Sequence, residues 1–423
     1  MKKPCKVLCL FDYNAFTGFA TVSKNIKKEL KNHFGSDLQL DICAVNYFGE
    51  PYREDDGTYV ISAVKSATKK DDFGRFGFLK ILNESNEYDG IFIIQDLGVI
   101  CPITSILKSI KENKARDNKK KFKSIFYFPV DCRLVDKLTE GLEVFDCICT
   151  YTEYGRDEVL RLRPELKGKL KVVPHGNNPK DFYPIESQTE RRLFREKYFG
   201  ENADKFIITN VNRNQPRKDI PTTIFSFIEL RKQWKEQGLP TSPFLYLHMN
   251  PKDPMGWDLR GIFLQTDLVE NIDFKLLETD LANKGASVDM LNNIYNASDV
   301  YLTTTLGEGW GLTLTEAMAT KLPIVCPLST SFIEMTNNGR NAYVIENLIP
   351  ICNTIDNVIR TQCDMYDVVD TLLHIAKGRL ESVVDDGFDD NYEKRIDSAY
   401  KYVQALSWKE VCKTWINYFK ETY

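Results

Sequence analysis

The sequence predicts an α/β protein built from two consecutive parallel-sheet domains, and three observations carry that reading. Short apolar runs alternate with longer amphipathic stretches, the pattern of strands buried on both faces and joined by helical crossovers. The alternation restarts after Pro174-His175-Gly176-Asn177-Asn178-Pro179. The length, 423 residues, suits two or three domains at roughly 150 residues each. One large α/β domain is the competing architecture.

Taken in order, Lys6 to Phe11 reads as the first strand and runs into a turn-rich stretch, Asp12 to Phe19. A helix is expected from about Thr21 to Lys31, then a strand from Leu38 to Val45. Ile91 to Ile94, Ser124 to Phe128, Val144 to Thr150 and Lys171 to Val173 supply further strands. The second half opens with a strand over Phe206 to Val211 and a helix over Thr222 to Gln237. Strands follow at Phe244 to His248, Ile262 to Leu264, Val300 to Thr303 and Ile324 to Cys326. The polar, Pro-bearing segment Asn178 to Ser187 reads as a hinge. The expected division is therefore 1–178, 179–404 and a terminal segment, 405–423, whose Trp408, Cys412, Trp415 and Tyr418-Phe419 give an aromatic-rich helix with apolar surface that must dock.

Composition narrows the classes. Fifty-six Lys and Arg against 60 Asp and Glu give a formal charge of −4, which disfavours a dedicated duplex-DNA binder. The Lys111 to Lys123 run holds six Lys and one Arg. It reads as a solvated helix end, with contact to an anionic acceptor or membrane surface as the other reading. No apolar run approaches the ~18 residues that span a bilayer. Lys6 and Asp12 interrupt the stretch behind the Lys-rich start, so a cytoplasmic location is expected, with peripheral membrane contact as an option. Eleven Cys without a Cys-x-x-Cys pair, and four His, offer little from which to build a metal site. The acceptor patterns Asn83-Glu84-Ser85 and Asn296-Ala297-Ser298 read as chance.

Two runs concentrate the chemistry. Gly307-Glu308-Gly309-Trp310-Gly311-Leu312-Thr313-Leu314-Thr315-Glu316 follows a strand, and its glycines permit a tight turn and close backbone approach to a ligand. Thr313 with Glu316 three residues on has the spacing of a capping box, and free N–H groups at such a helix start favour phosphate. Glu308 and Glu316 can accept hydrogen bonds from sugar or ribose hydroxyls; a purely structural Glu316, capping its own helix, is the plain alternative. The second run, Asn210 to Asp219, lies at the C-terminal end of another strand, where open α/β sheets place ligands. Its Arg213 offers a planar fork of donors and its Lys218 a point charge, a pair suited to a diphosphate; Arg217 and Lys218 facing solvent is the alternative. The turn after the first strand has one glycine, Gly18, and is no dinucleotide fingerprint. No Walker motif and no Gly-x-Ser-x-Gly occurs, which disfavours a P-loop ATPase and an α/β-hydrolase.

These runs resemble the retaining glycosyltransferases of the GT-B fold, the family-four group with its Glu-x7-Glu signature from Glu308 to Glu316 followed by Ala317-Met318-Ala319. Pro323-Ile324-Val325 and Thr330 to Glu334 look like the family's next strand and loop, and Val173 to Gly176 like its interdomain crossing. The resemblance implies a GT-B fold, two Rossmann-like domains facing a central cleft, with the acceptor on the first domain and a nucleotide-sugar on the second. It also implies that the last helix returns to the first domain. Glu316 would bind ribose hydroxyls, and Glu308 the transferred sugar, helped by backbone at Trp310, Gly311 and Leu312. Arg213 and Lys218 would hold the donor diphosphate. Backbone at Thr313 and the Gly18 turn would approach the phosphates, and Leu291 would lie near the ribose or base.

The implied activity is transfer of a sugar from a nucleoside diphosphate sugar of UDP or GDP type to an acceptor hydroxyl, without a cofactor or metal. The acceptor is open: glycan, lipid, small molecule or modified nucleic acid. Where family members often carry a His after the fourth strand, this chain has Gln95-Asp96, so Asp96 or Asp131 becomes the candidate for orienting the acceptor hydroxyl. Asp219 stands where Gly is common. The rival readings are a phosphorylase or epimerase on a similar paired fold, a glycosyltransferase acting on modified bases in DNA, and a catalytically silent nucleotide-sugar or carbohydrate-binding protein.

Overall fold

Apolar runs rich in Val, Ile, Leu and Phe form the strands of two separate parallel sheets in the computed structural model. It describes residues 3–15, 17–63, 71, 73–277, 285–352, 357–381 and 392–422. Met1, Lys2, Phe16 and Tyr423, which figured in the sequence expectations, lie outside the described residues. The chain divides into one unit of Met1–Gly176 with Trp408–Tyr423, and a second of Asn177–Ser407.

The first unit holds β1 (Cys5–Asp12), β2 (Leu38–Val45), β3 (Tyr52–Arg53), β4 (Tyr59–Ser62), β5 (Gly90–Ile94), β6 (Lys123–Phe128), β7 (Cys147–Thr150) and β8 (Leu170–Val172). Their order across the sheet is β3-β4-β2-β1-β5-β6-β7-β8. All pairs are parallel except the short β3–β4 edge. Every residue of β5 is buried, as continuous apolar strands of a covered parallel sheet require. The order reverses direction between β1 and β5, so the loops after these two strands diverge and leave a crevice at their C-terminal ends. The first helix, Gly18–Phe34, starts three residues earlier than its periodicity suggests, because the Thr17 hydroxyl caps it by accepting from Ala20 N at 3.1 Å.

The last helix, Trp408–Thr422, lies in this unit. Trp415 is fully buried, with its ring 4.8 Å from Tyr127 and 5.0 Å from Phe92. Gly176 approaches Trp408 so closely that a Cβ there would sit 2.5 Å from the Trp408 Cα, which explains a glycine at this position.

The second unit holds β9 (Phe206–Val211), β10 (Pro243–His248), β11 (Phe274–Leu276), β12 (Val300–Leu302), β13 (Ile324–Pro327) and β14 (Tyr343–Ile345) in the order β11-β10-β9-β12-β13-β14. All five pairings are parallel. Helices Ile220–Glu236 and Met365–Glu381 bury Phe227, Leu230, Trp234, Val368 and Leu372 in the core on one face. Phe199 and Ile294, from helices Gln188–Phe199 and Val288–Ala297, pack with Phe244 and Tyr246 in a second cluster. A separate antiparallel ribbon joins β15 (Leu348–Cys352) to β16 (Ile359–Cys363). Both units are thus Rossmann-like.

Three expectations are corrected. Ile262 to Leu264 is not a strand: Leu259–Phe263 is a helix capped by Asp258, which accepts from Gly261 N at 3.1 Å, and Leu264 is 86% exposed. A three-residue apolar run cannot by itself distinguish the two periods. β7 begins at Cys147 and not Val144, because Leu142–Val144 closes into a 3-10 turn. Thr313 does not open its helix, as described below.

The basic run is largely neutralised by its own neighbourhood. Lys111 bonds Asp146 at 2.8 Å, Lys120 pairs with Asp89 at 2.6 Å, and the ammonium of Lys114 donates to Ser85 O at 2.6 Å. Asn296 is buried, with its amide bonded to Tyr183 O and Asn292 O, so it offers no acceptor site for a glycan. Among the described residues no helix is long and apolar enough to cross a membrane.

Trp415→Ala is expected to destabilise the chain by about 3–5 kcal/mol, the cost of deleting a fully buried aromatic. Urea unfolding followed by fluorescence should show a lower midpoint; an unchanged midpoint would mean the aromatic cluster carries little of the stability.

Candidate active site

In the second sheet β10 and β11 extend to one side of β9, and β12, β13 and β14 to the other. β9 and β12 are hydrogen-bonded neighbours, with Val300 opposite Ile208 and Tyr301 opposite Thr209. The direction of the strand order changes between them, so the two loops leaving their C-terminal ends meet at the crevice where open α/β sheets bind ligands. Both motif-bearing runs are those loops.

After β9, Pro216–Lys218 forms one 3-10 turn, and Asp219 (φ 45°) joins it to helix Ile220–Glu236. After β12, Thr303 to Gly311 leads into helix Leu312–Ala319. The loops are stitched together by backbone and hydroxyl groups. Leu306 N donates to Arg217 O at 2.8 Å and the Thr304 hydroxyl to Asp219 O at 2.8 Å, with Thr305 Oγ1 3.2 Å from Arg217 O. Asn212 reaches Thr303 Oγ1 at 3.3 Å.

Glu308 sits at the centre of this joint, 7% exposed. Its carboxylate takes the Lys218 ammonium on Oε1, the Arg217 guanidinium on Oε2 at 3.1 Å, and the Thr305 hydroxyl at 2.9 Å. Arg217 also donates to Gly307 O. Burial alone would raise the Glu308 pKa, but Arg217 and Lys218 outweigh it and hold the carboxyl at about 2. The backbone N–H of Glu308 donates to Thr330 Oγ1 at 3.0 Å. Thr330 itself has φ 49°, a left-handed conformation that a β-branched residue adopts when its surroundings over-determine it.

The glycine turn ends at Gly311, φ 97°, where an added Cβ would lie 2.5 Å from the Phe332 ring. Gly311 is the N-cap of helix Leu312–Ala319 and no side chain caps the helix. The expected capping box is absent because both of its members are engaged elsewhere. Thr313 Oγ1 lies 2.8 Å from Tyr301 Oη, and Glu316 Oε2 accepts from Tyr295 Oη at 2.9 Å. Burial pushes the Glu316 carboxyl up to about 7 against the Tyr295 hydrogen bond, with Asp181 adding to the rise. Leu291 stands one helical turn before Tyr295 on Val288–Ala297 and is half-buried. Trp310 is 3% exposed, and its carbonyl accepts from Ser331 Oγ at 3.0 Å.

Lys218 and Glu308 are therefore brought into contact. Arg213 is exposed and its Nε donates to Asp253 at 2.8 Å. The second cation on Glu308 is Arg217, whose place next to Lys218 on a single tight turn is the signal that could have revealed it. The three buried hydroxyls Thr303 to Thr305 carry a similar signal, since polar residues ending a buried strand mark loops tied together there.

The remaining candidates belong to the first unit. Gly18 is the first residue of its helix, and the preceding Thr17 donates to the buried Asp12 carboxylate at 2.8 Å, which Asn46 also reaches at 2.8 Å. Asp96 is exposed at the start of helix Leu97–Ile100 after β5, and Asp131 is half-buried after β6. All three follow the C-terminal ends of the central strands. Among the described residues no three His, Cys, Asp or Glu side chains converge as a metal site.

Comparison with known proteins agrees with this geometry. Sucrose-phosphate synthase from Thermosynechococcus elongatus superposes with a TM-score of 0.68 at 14% identity, covering 99% of both chains. The chain accordingly has the GT-B fold, two Rossmann-like parallel-sheet domains. Residues 274–360 match the family described as Glycosyl transferases group 1. The matched segment runs from β11 through Glu308 and Glu316 to β16. The α-monoglucosyldiacylglycerol synthase of Acholeplasma laidlawii is 26% identical over 185 residues, 44% of this chain and 42% of its own. A probable sucrose-phosphate synthase from Thermosipho melanesiensis is 23% identical over 266 residues, 63% of this chain and 50% of its own. The chain thus spans about half, or less, of the length of the curated relatives it matches.

The two glutamates predict opposite pH signatures. Glu308, depressed from 4.5 to about 2, contributes stability above pH 4.5 that is lost as pH falls through about 2. Glu316, raised from 4.5 to about 7, contributes stability below pH 4.5 that is lost as pH rises through about 7. Glu316→Gln should therefore melt with the wild type near pH 4 and a few degrees above it at pH 8. Melting curves that stay parallel across that range would contradict the raised carboxyl.

Proposed function

We propose that the chain is a retaining glycosyltransferase that moves a sugar from a nucleoside diphosphate sugar, of UDP or GDP type, to an acceptor hydroxyl without a bound divalent ion. The observation that carries this reading is the Arg217–Lys218 turn held on Glu308 where the loops after β9 and β12 meet. Two cations against one carboxylate leave positive charge beside a helix N-terminus that no side chain caps. That combination suits a diphosphate.

As the bond between the anomeric carbon and the phosphate oxygen breaks, negative charge grows on the leaving diphosphate. Lys218 and Arg217, with Arg213 from the same strand end, stabilise it more in the transition state than in the ground state. The departing phosphate oxygen accepts the proton of the incoming hydroxyl, so no separate strong base is required. Glu308, ionised at neutral pH, acts as a pure acceptor toward hydroxyls of the transferred sugar. Glu316, steadied by Tyr295, takes the ribose hydroxyls, with Leu291 beside it and backbone at Thr313, Gly311 and Leu312 toward the phosphates.

The first unit binds the acceptor, with Asp96 or Asp131 orienting its hydroxyl. One relative bears the name of a diacylglycerol glycolipid synthase and another that of a sucrose-phosphate synthase, so lipid and sugar acceptors are the first panels to test. A lipid acceptor would bring a cytoplasmic protein to the membrane surface.

With UDP- and GDP-sugars screened against both panels, Lys218→Ala is expected to lower kcat by about 10²–10³-fold, as loss of a transition-state charge partner does. Arg213→Ala, exposed and paired with Asp253, should cost less. A wild-type chain that neither transfers nor hydrolyses any of these donors would refute the assignment.

A further inference from the structure

The β15–β16 ribbon is absent from the sheet, yet one of its side chains reaches the cationic turn. Gln362, opposite Ile349 in the ribbon, donates from Nε2 to Asp219 Oδ2 at 3.0 Å and to Thr222 Oγ1 at 3.1 Å. Asp219 directly follows Lys218, ends the 3-10 turn that carries both cations, and begins helix Ile220–Glu236. It is 6% exposed and lies in the left-handed region, φ 45° and ψ 50°. A non-glycine residue holds that conformation when its polar groups are each fixed by the surroundings.

Each is fixed here. The N–H of Asp219 donates to Pro216 O at 3.1 Å, its carbonyl accepts from the Thr304 hydroxyl at 2.8 Å, and its carboxylate accepts from Gln362. The first bond closes the cationic turn, the second ties it to the loop that carries Glu308, and the third ties it to the ribbon. Neutral donors, the Gln362 amide together with Thr222, satisfy the buried carboxylate without placing another charge beside Lys218.

We propose that Gln362 is a positioning residue: by holding Asp219 it fixes the direction in which the Arg217–Lys218 turn presents its charges. The inference rests on the reading that this turn meets the donor diphosphate. Misdirected cations weaken stabilisation of the leaving group more than binding of the ground state, so the effect falls on kcat before KM. A glycine at 219 adopts the left-handed conformation without a tether, so the need for Gln362 should vanish there.

The test is a double-mutant cycle of Gln362→Ala and Asp219→Gly in the full chain, using whichever of UDP-glucose and GDP-mannose the wild type turns over. Hydrogen exchange of residues 217–223 is followed alongside. Gln362→Ala is expected to lower kcat about tenfold with donor KM within about twofold and to speed exchange of that segment. In the Asp219→Gly background the same substitution should change neither. Equal losses in both backgrounds, faster exchange with unchanged kcat, or no effect at all would overturn the positioning role while leaving the donor-site reading intact. A wild-type chain inactive on both donors and binding neither UDP nor GDP would overturn that reading, and this inference with it.

Discussion

The arrangement of the second unit depends on one buried carboxylate held by two cations from a neighbouring loop. Glu308 cannot stay ionised in so enclosed a place unless its charge is met, and Arg217 and Lys218 meet it from a single turn. Removing either cation would leave the carboxylate a single partner, whereas together the two exceed its charge by one. The joint is therefore both a structural tie between the β9 and β12 loops and a source of net positive charge. The topology makes the tie possible: the strands are adjacent in the sheet, and their connections run away from each other.

Around that ion pair the loops are fixed by hydroxyls and not by apolar packing. Thr304 holds Asp219, Thr305 holds Glu308, and Thr330 receives the Glu308 N–H from the next loop. Thr223 and Thr304 hydroxyls lie 2.7 Å apart, extending the network into helix Ile220–Glu236. Such short, fully engaged side chains fix backbone directions with little freedom, which is what a site acting by charge placement requires. The left-handed backbone at Asp219, Thr330 and Gly311 falls within the same few loops. Strain is concentrated where the chain must turn to present charge or free amides.

The sequence makes the sheets legible where strands are continuously apolar, as in β5, β9 and the interior of β1. It fails where an element is short or at an edge. β3, β4, β11 and β14 span two to four residues, too few to show a period, and Ile262 sits in a helical turn that three apolar residues cannot distinguish from a strand. The glycine turn with its two glutamates is conspicuous because its composition is constrained by backbone geometry. Arg217 and Gln362 are not, because their roles arise from contacts between segments 90 and 143 positions apart. Thr313 illustrates the limit in a different way: its spacing to Glu316 fits a capping box, but the partners Tyr301 and Tyr295 lie on other elements and take both side chains.

The two glutamates of one short run end in opposite electrostatic conditions, and the reason lies in what faces them. Glu308 opens toward a cationic turn and remains a carboxylate far below neutrality. Glu316, four residues into a helix, faces the phenol of Tyr295 with Asp181 near, and burial carries it close to neutrality. A carboxyl poised there can accept a hydrogen bond in one protonation state and donate one in the other. An ionised Glu308 has no such choice and presents acceptors alone. A ligand with both a fixed set of hydroxyl donors and a second, separable pair of hydroxyls would match these two environments in turn, whereas a ligand bearing anionic groups on both sides would be repelled at Glu308 and drawn to the Arg217–Lys218 turn beside it. On the proposed donor reading, hydroxyls would face the glutamates and negative charge the Arg217–Lys218 turn beside Glu308.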